Sequence, residues 1–397
     1  MTEKKNILLG ICGGIAAYKS CELVRLLIKA GHQVTTVMTQ SATEFIHPNT
    51  FHALSSHPVY SDSEIQNQTM THIQLTRQAD VFLIAPATAN TIAKISNGIC
   101  DNLLTTLVAA RNCPLALAPA MNTHMWLNIA NQRNIRQLQE DGVFLFGPDT
   151  GSLACGENGA GRMLEAKELL ENLPLLWTEK KLTGKKVILT AGATYEAIDP
   201  VRGITNLSSG KMGIVLAKAC LYAGAEVKLI LGQTNTEHIL PKAIEIIHAH
   251  NARQMEQAVF HNIADADIFI GVAAISDYRV KNVAAEKIKK ESATSTLTLE
   301  LVQNPDILAA VASLPNPPLC VGFAAESEHL LAYAEQKRQN KKLPMLVANL
   351  VNDTMGKDQT KMIILDNNGS TPYQEMNKND AAKIIIDHLG TLLNNRN

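Results

Sequence analysis

One pattern runs twice along this chain and most constrains its fold. A short β-rich apolar run turns through small residues into a helix-period segment, a glycine ends that segment, and another apolar run follows. The first instance is residues 7–11, then Gly14 into a segment ending near Gly31, then residues 34–38. The second is residues 187–189, then Gly210 into a segment ending near Gly224, then residues 227–231. Glycine suits the position after a helix because it adopts the left-handed conformation without strain. Runs at 81–84, 115–118 and 143–146 continue the first series, and runs at 244–248, 268–272 and 319–323 the second. Amphipathic stretches such as 15–29 and 126–139 lie between them. Unbroken apolar strands alternating with helices predict parallel βαβ units. The expected fold is α/β, with two tandem Rossmann-like parallel-sheet domains, the second carrying a C-terminal strand–helix extension.

The basic segment 180–186, KKLTGKK, reads as a linker between domains at 1–179 and 187–397. Residues 155–162, CGENGAGR, are too glycine-rich for a stable helix and read as a mobile flap. Past Phe323 the pattern predicts a helix over 328–342, a strand at MLVAN, a hairpin from 361–366 and 372–376, and a last helix over 380–393. A chain of 397 residues, 46% hydrophobic, can fill the separate cores this requires.

Lys plus Arg number 36 against 37 Asp plus Glu, a net charge of −1, which argues against a dedicated nucleic-acid binder. No apolar run approaches the roughly 20 residues of a membrane span. The charged N-terminus leads straight into a strand-like run, unlike a signal peptide. Seven scattered cysteines without a CxxC pair predict reduced thiols and a cytoplasmic location, and no His/Cys cluster points to zinc.

The chemistry-bearing residues gather in turns that follow strands. Cys12-Gly13-Gly14-Ile15-Ala16 opens a helix, and free N–H groups at a positive helix end suit a phosphate. Its spacing is neither GxGxxG nor a P-loop, and a plain tight turn is the alternative. Residues 85–90, APATAN, leave another strand at its carboxyl end, where open α/β sheets place ligands. Asp101 and Asn102 precede a helix as favoured caps. Read singly, His72 is a surface or satisfied histidine, Asn122 a turn residue and Cys155 an inert thiol. In the second half, Ser208 and Ser209 read as helix caps, or with Gly210 and Lys211 as an anion site. The lysines from Lys287 to Lys290 would ordinarily be a solvated face.

Taken in order, these segments are more specific. PAMNTHMW, over residues 119–126, resembles the signature of the flavin-dependent cysteine decarboxylases, and CGGIAAYK, His72, APATAN and ACGENGAGRM complete that set. DPVR, NLSSGKMG, Asp277-Tyr278, KIKK and NPDI extend the resemblance, so the chain resembles bifunctional coenzyme A biosynthesis enzymes. In that family a phosphopantothenoylcysteine decarboxylase is fused to a phosphopantothenate–cysteine ligase. The resemblance implies FMN in the first domain, held through Gly13, Gly14, Ile15, Ala16, Thr39, Thr88, Asn90, Asp101 and Asn102. It implies His72 as the acid/base or polarising group, Asn122 as the holder of the substrate carboxylate and Cys155 as the proton donor to the enethiolate.

For the second domain it implies that CTP and 4′-phosphopantothenate form an acyl-cytidylate, which the amine of L-cysteine attacks. Asn206 would polarise that intermediate and Lys287 supply charge at activation. Ser208, Ser209, Gly210, Lys211, Asp277, Asn304, Pro305, Asp306, Ile307, Phe323, Lys337 and Lys341 would bind nucleotide or substrate. Mg2+ would accompany the triphosphate, with unknown protein ligands. The resemblance further implies a homo-oligomer, a dodecamer with trimeric decarboxylase and dimeric ligase contacts. Two other readings stand beside it: a decarboxylase of a peptide's C-terminal cysteine, and a non-catalytic regulatory flavoprotein. The chain departs from the family pattern at Cys12, where serine is usual, and at Ala193 and Tyr195, where proline and arginine are usual.

Overall fold

The computed structural model describes residues 4–62, 71–154, 156–235, 238–289, 296–326, 330–350 and 357–394. Cys155 and Lys290 lie outside the described residues. The chain divides into two compact units, Thr2–Thr178 and Glu179–Asn397.

In the first unit the strands are β1 (Asn6–Ile11), β2 (Gln33–Met38), β3 (Val59–Ser61), β4 (Val81–Ala87), β5 (Leu115–Pro119) and β6 (Phe144–Leu145). They form one sheet in the order β3-β2-β1-β4-β5-β6, and every pairing is parallel. Strand β1 shows why: Ile7, Leu9 and Ile11 enter the core on one face, and Leu8 enters the core on the other. A side chain of this size, fully buried, contributes about 1.5–3 kcal/mol, so a strand apolar on both faces belongs in mid-sheet. Helices α1 (Ala17–Lys29), α2 (Gln40–Thr43), α3 (Pro48–Ser55), α4 (Thr71–Gln78), α5 (Ala89–Ser96) and α6 (Leu103–Ala110) connect the first five strands. Gly31 follows the C-cap of α1, and its φ of 94° is the left-handed value expected of it.

Two local expectations change. The stretch 126–139 forms two helices, α7 (Thr123–Leu127) and α8 (Ile129–Glu140), because Asn128 turns extended and caps the second through Ala130 N–H. The glycine-rich flap is the return arm of an antiparallel hairpin, β7 (Asp149–Ser152) with β8 (Asn158–Arg162). Helix α9 (Ala166–Asn172) follows and packs into the same core as α1.

The second unit has β9 (Lys186–Ala191), β10 (Tyr195–Ala197), β11 (Gly203–Thr205), β12 (Glu226–Leu231), β13 (Ile244–His248), β14 (Ile268–Gly271), β15 (Tyr278–Val280), β16 (Leu301–Gln303), β17 (Leu319–Glu326), β18 (Met345–Leu350), β19 (Gln359–Asp366) and β20 (Gly369–Asn377). Its main sheet runs β13-β12-β9-β14-β17-β18-β19-β20. The first five pairings are parallel, and β19 and β20 join antiparallel. The C-terminal extension is therefore part of the sheet. Helices α10 (Lys211–Tyr222), α11 (Ala252–Asn262), α12 (Ile307–Ala312), α13 (Leu330–Asn340) and α14 (Lys378–Asn394) accompany it.

The basic segment read as a linker is packed into this second unit. Leu182 is fully buried and its N–H donates to Ala223 O at 2.9 Å. Lys181 pairs with Asp387 at 2.8 Å, and Lys180 Nζ donates to Tyr222 O at 2.8 Å. Both sheets reverse their strand order beside the first strand of the unit, and the crevice at such a switch point is where open sheets bind ligands.

Candidate functional site

At the first switch point, Cys12 N–H donates to Pro86 O at 3.2 Å, joining the ends of β1 and β4. The Cys12 thiol turns inward and donates to Thr91 Oγ1 at 3.2 Å, and burial pushes its pKa up. The departure from serine thus sits behind the turn, as a bolt to α5. Among the described residues, the N–H groups of Gly13, Gly14, Ile15 and Ala16 have no partner. A Cβ on Gly14 would meet nothing within 4 Å, whereas one on Gly13 would lie 2.5 Å from Ser41 Oγ. The turn is thus open on one side and closed by Ser41 on the other. Thr39 directly follows β2, caps α2 and sets its hydroxyl 3.2 Å from that of Ser41. Thr88 follows β4 and caps α5. Free helix-end donors beside paired hydroxyls fit the phosphate of a flavin nucleotide.

The remaining expected cofactor residues differ in their engagement. Asn90 is exposed in the first turn of α5. Asn102 caps α6 through Thr105 N–H at 2.9 Å, and Asp101 pairs with Lys94 at 2.7 Å. His72 is half-buried in the first turn of α4, with its carbonyl accepting from Thr76 Oγ1 at 2.9 Å.

The hairpin and the Asn122 loop form one assembly. Met121 N–H donates to Gly161 O at 2.9 Å. Gly161 has φ +139°, and a Cβ there would lie 2.2 Å from Met121 O. Asn122 caps α7 by accepting His124 N–H at 2.7 Å, and its amide Nδ2 donates to Glu157 Oε2 at 2.5 Å. The root of β8 is held from below: buried Lys19, the lysine of CGGIAAYK, donates to Met163 O at 2.9 Å and Glu165 Oε1 at 2.8 Å. That ion pair with Lys19, joined by Arg162, holds the Glu165 carboxyl below its usual range.

At the second switch point, Gly192 and Gly210 both take positive φ, and a Cβ on Gly210 would lie 3.3 Å from Gly192 Cα. Gly213 brings α10 onto β9, where a Cβ would lie 2.4 Å from that of Ala191. The helix cap is Gly210; Ser208 and Ser209 precede it, and only a 3.4 Å bond from Gly210 N–H reaches Ser208 Oγ. Among the described residues, the N–H groups of Lys211, Met212 and Gly213 have no partner. Lys211 Nζ pairs with Asp358 at 2.7 Å and holds that carboxyl below its usual range. Asn206 is exposed before this turn.

DPVR and KIKK come together. Asp199, fully buried as a side chain, accepts from Val201, Arg202 and Ile288 N–H, and Arg202 grips both Asp199 and Ile288 O. Arg202 therefore serves the lysine segment, and Lys287 is exposed beside it. Asn304 is buried and bridges to Ser276 O at 2.7 Å, while its N–H donates to Asp277 O at 2.7 Å. Asp306 caps α12 and pairs with Lys341 at 2.7 Å. Pro305 is half-buried, Ile307 belongs to the core, and half-buried Phe323 lies in β17. Lys337 lies in the last turn of α13. Ala193 uses the N–H that proline lacks to bond Gln233 O at 2.9 Å. The Tyr195 ring covers Gly203, where a Cβ would lie 2.3 Å away. Among the described residues, no group of three or more His, Cys, Asp or Glu is placed to hold a metal, and no helix is long and apolar enough to cross a membrane.

Family models divide the chain in the same manner as its fold. Residues 1–174 match the Flavoprotein model, and residues 182–392 match the model for the DNA/pantothenate metabolism flavoprotein C-terminal domain. The Coenzyme A biosynthesis bifunctional protein CoaBC of Vibrio cholerae is 48% identical over 349 residues, 87% of each chain. The chain belongs to this bifunctional family. Its counterpart in Haemophilus influenzae is 41% identical over 97% of each chain. A crystal structure of the C-terminal domain of a CoaBC protein is 30% identical, covers 55% of this chain and all of that one, and superposes with a TM-score of 0.47.

Within this family frame, Gly13–Ala16, Thr39, Thr88 and Asn122 follow the carboxyl ends of β1, β2, β4 and β5, whereas Ser208–Lys211 follow β11, outside the main sheet of the second unit. Sequence reasoning missed Ser41, Lys19 and Glu157. Lys19 and Glu157 stand inside the quoted motifs, but only the fold shows what each one holds.

Proposed function

We propose that the chain makes 4′-phosphopantetheine in two steps, ligation in the second unit and decarboxylation in the first. The observation that carries this reading is the presence, on one chain, of the Asn122–Glu157 contact between the PAMN loop and the hairpin in the first unit and of the Asp199–Arg202–Ile288 cluster in the second, each unit also carrying free helix-end donors at its switch point. The Gly13–Ala16 N–H groups and the hydroxyls of Thr39, Ser41 and Thr88 would hold the FMN phosphate, and the bound flavin would supply two-electron chemistry for the substrate thiol. His72 polarises or takes the thiol proton, Asn122 donates hydrogen bonds to the substrate carboxylate, and Cys155 returns a proton to the enethiolate. The hairpin excludes water from the reacting carbon.

In the second unit CTP would activate phosphopantothenate, and Mg2+ would offset part of the triphosphate charge. Lys287 and Lys211 offset its charge, the free N–H groups of α10 bind an anionic group, and Asn206 orients the acyl-cytidylate for attack by the amine of cysteine. The chain works in the cytoplasm as a homo-oligomer, a dodecamer with trimeric decarboxylase and dimeric ligase contacts. The test is pyrophosphate release by the purified protein. It should require both CTP and phosphopantothenate; equal release with ATP would overturn the CTP assignment. A protein that purifies colourless and refuses FMN would overturn the decarboxylase assignment.

A further inference from the structure

The hydrogen bond between Asn122 and Glu157 joins a residue of the PAMN loop to one 35 positions later on the hairpin. Asn122 cannot turn its amide round freely, because its oxygen already accepts His124 N–H as the cap of α7. Its NH2 group therefore faces outward, and a carboxylate occupies it. Two backbone bonds place that carboxylate: Gly156 N–H donates to Leu153 O at 2.9 Å, and Leu153 N–H donates to Glu157 O at 2.8 Å. The hairpin in turn is fixed to the loop by the Met121–Gly161 bond and by Gly159, where a Cβ would lie 2.5 Å from Thr123 Oγ1. Glu157 thus reaches Asn122 from a scaffold anchored on both sides of it.

We propose that Glu157 is the resident carboxylate of the Asn122 amide, displaced by the substrate carboxylate and returning when that group leaves as CO2. The proposal rests on the reading of Asn122 as the holder of the substrate carboxylate. Two carboxylates on one amide repel, so the substrate must expel Glu157 to bind. No covalent bond forms or breaks at Glu157; the electron pair of the breaking carbon–carbon bond stays with the oxidised substrate. After CO2 departs, the amide has lost its charged acceptor and Glu157 retakes it. The site thereby distinguishes an acyl-cysteine from its decarboxylated product by the one group that differs between them.

Glu157→Gln in the full, FMN-loaded protein tests this. The KM for phosphopantothenoylcysteine should fall about fivefold, the worth of an exposed hydrogen bond to a charged group, without a rise in kcat. The dissociation constant of 4′-phosphopantetheine, measured by calorimetry, should stay within about twofold. In an Asn122→Ala background the same change should leave KM unmoved. A KM that rises or does not change overturns the proposal, and so does an equal shift for substrate and product. Asn122→Ala on its own separates the two claims: if it alters neither KM nor kcat, the Asn122 reading fails independently of Glu157. Retained flavin absorbance and CTP-dependent pyrophosphate release report that the variants are folded.

Discussion

The two units share one strand order and solve the same problem at its switch point by opposite means. In the first, the turn after β1 is open at Gly14, which has empty space around it, though Ser41 closes it at Gly13, and among the described residues four N–H groups are unpartnered. In the second, the Lys211, Met212 and Gly213 N–H groups are also unpartnered among the described residues, but the turn is crowded: a Cβ on Gly192 would meet Gln233 O, one on Gly210 the Thr234 methyl and one on Gly213 the Ala191 Cβ. Gly14 leaves open space at the first turn, whereas Gly192, Gly210 and Gly213 let the protein approach itself at the second. A glycine-rich turn therefore does not mean one thing, even on matching folds within one chain.

The most severe test of two independent sites is a pair of substitutions, one per unit. Asn206→Asp should lower ligation by about 100-fold or more, in the range of losing an electrostatic stabiliser, while supplied phosphopantothenoylcysteine is still decarboxylated. His72→Asn should do the reverse, by about 100-fold for a lost acid/base group. Steady-state assays of both half-activities on each variant check this; joint loss in either would break the separation.

Next comes the hairpin. Gly161→Ala forces a Cβ toward Met121 O at a positive φ, and the strain should cost the first unit about 1–3 kcal/mol. Differential calorimetry should show the loss in one transition, with ligation unchanged. Decarboxylation should fall at least tenfold, since a small displacement of the Asn122 loop is enough for that.

The glycine contrast itself is sharpened by a third pair. Gly213→Ala should destabilise the second unit by about 1–3 kcal/mol through overpacking against Ala191. Gly14→Ala should change stability by less than about 0.5 kcal/mol yet weaken FMN retention, read by fluorescence of released flavin. Equal thermal effects would erase the distinction between the two turns.

The smallest effect concerns thiols. Cys100 is exposed and should react with a thiol reagent in the native protein. Cys12, Cys220 and Cys320 are buried, Cys220 with its pKa pushed up to about 12, and should react only on unfolding. Rapid modification of more than the accessible thiols would show a looser core in one unit than the other.

Most strands were legible because each is a compact apolar run, and β1, β9 and β18 needed no more than that. Strand β3 escaped because Val59-Tyr60-Ser61 is too short to show a period, and it sits at the sheet edge. The strand partner of the glycine-rich segment was not legible, because glycine content speaks against a helix without saying that β7 will supply a partner. The break at Asn128 was hidden inside one continuous helical pattern, since caps act through a single hydrogen bond. Among site residues, those that directly follow strands were visible from their order. The ones that act through distant partners, Glu157 on Asn122 and Asp199 on Ile288, were not, because 35 and 89 positions separate them.

Leu182 decides where the molecule can be divided. A C-terminal fragment begun at β9 would leave behind a fully buried leucine and the lysine that pairs with Asp387. It would start with a hole beside the end of α10 and an orphaned carboxylate on α14. One begun at Glu179 carries its own plug. The stretch of chain that separates two activities is thus the property of one of them, and excision is tolerated on one side of it only.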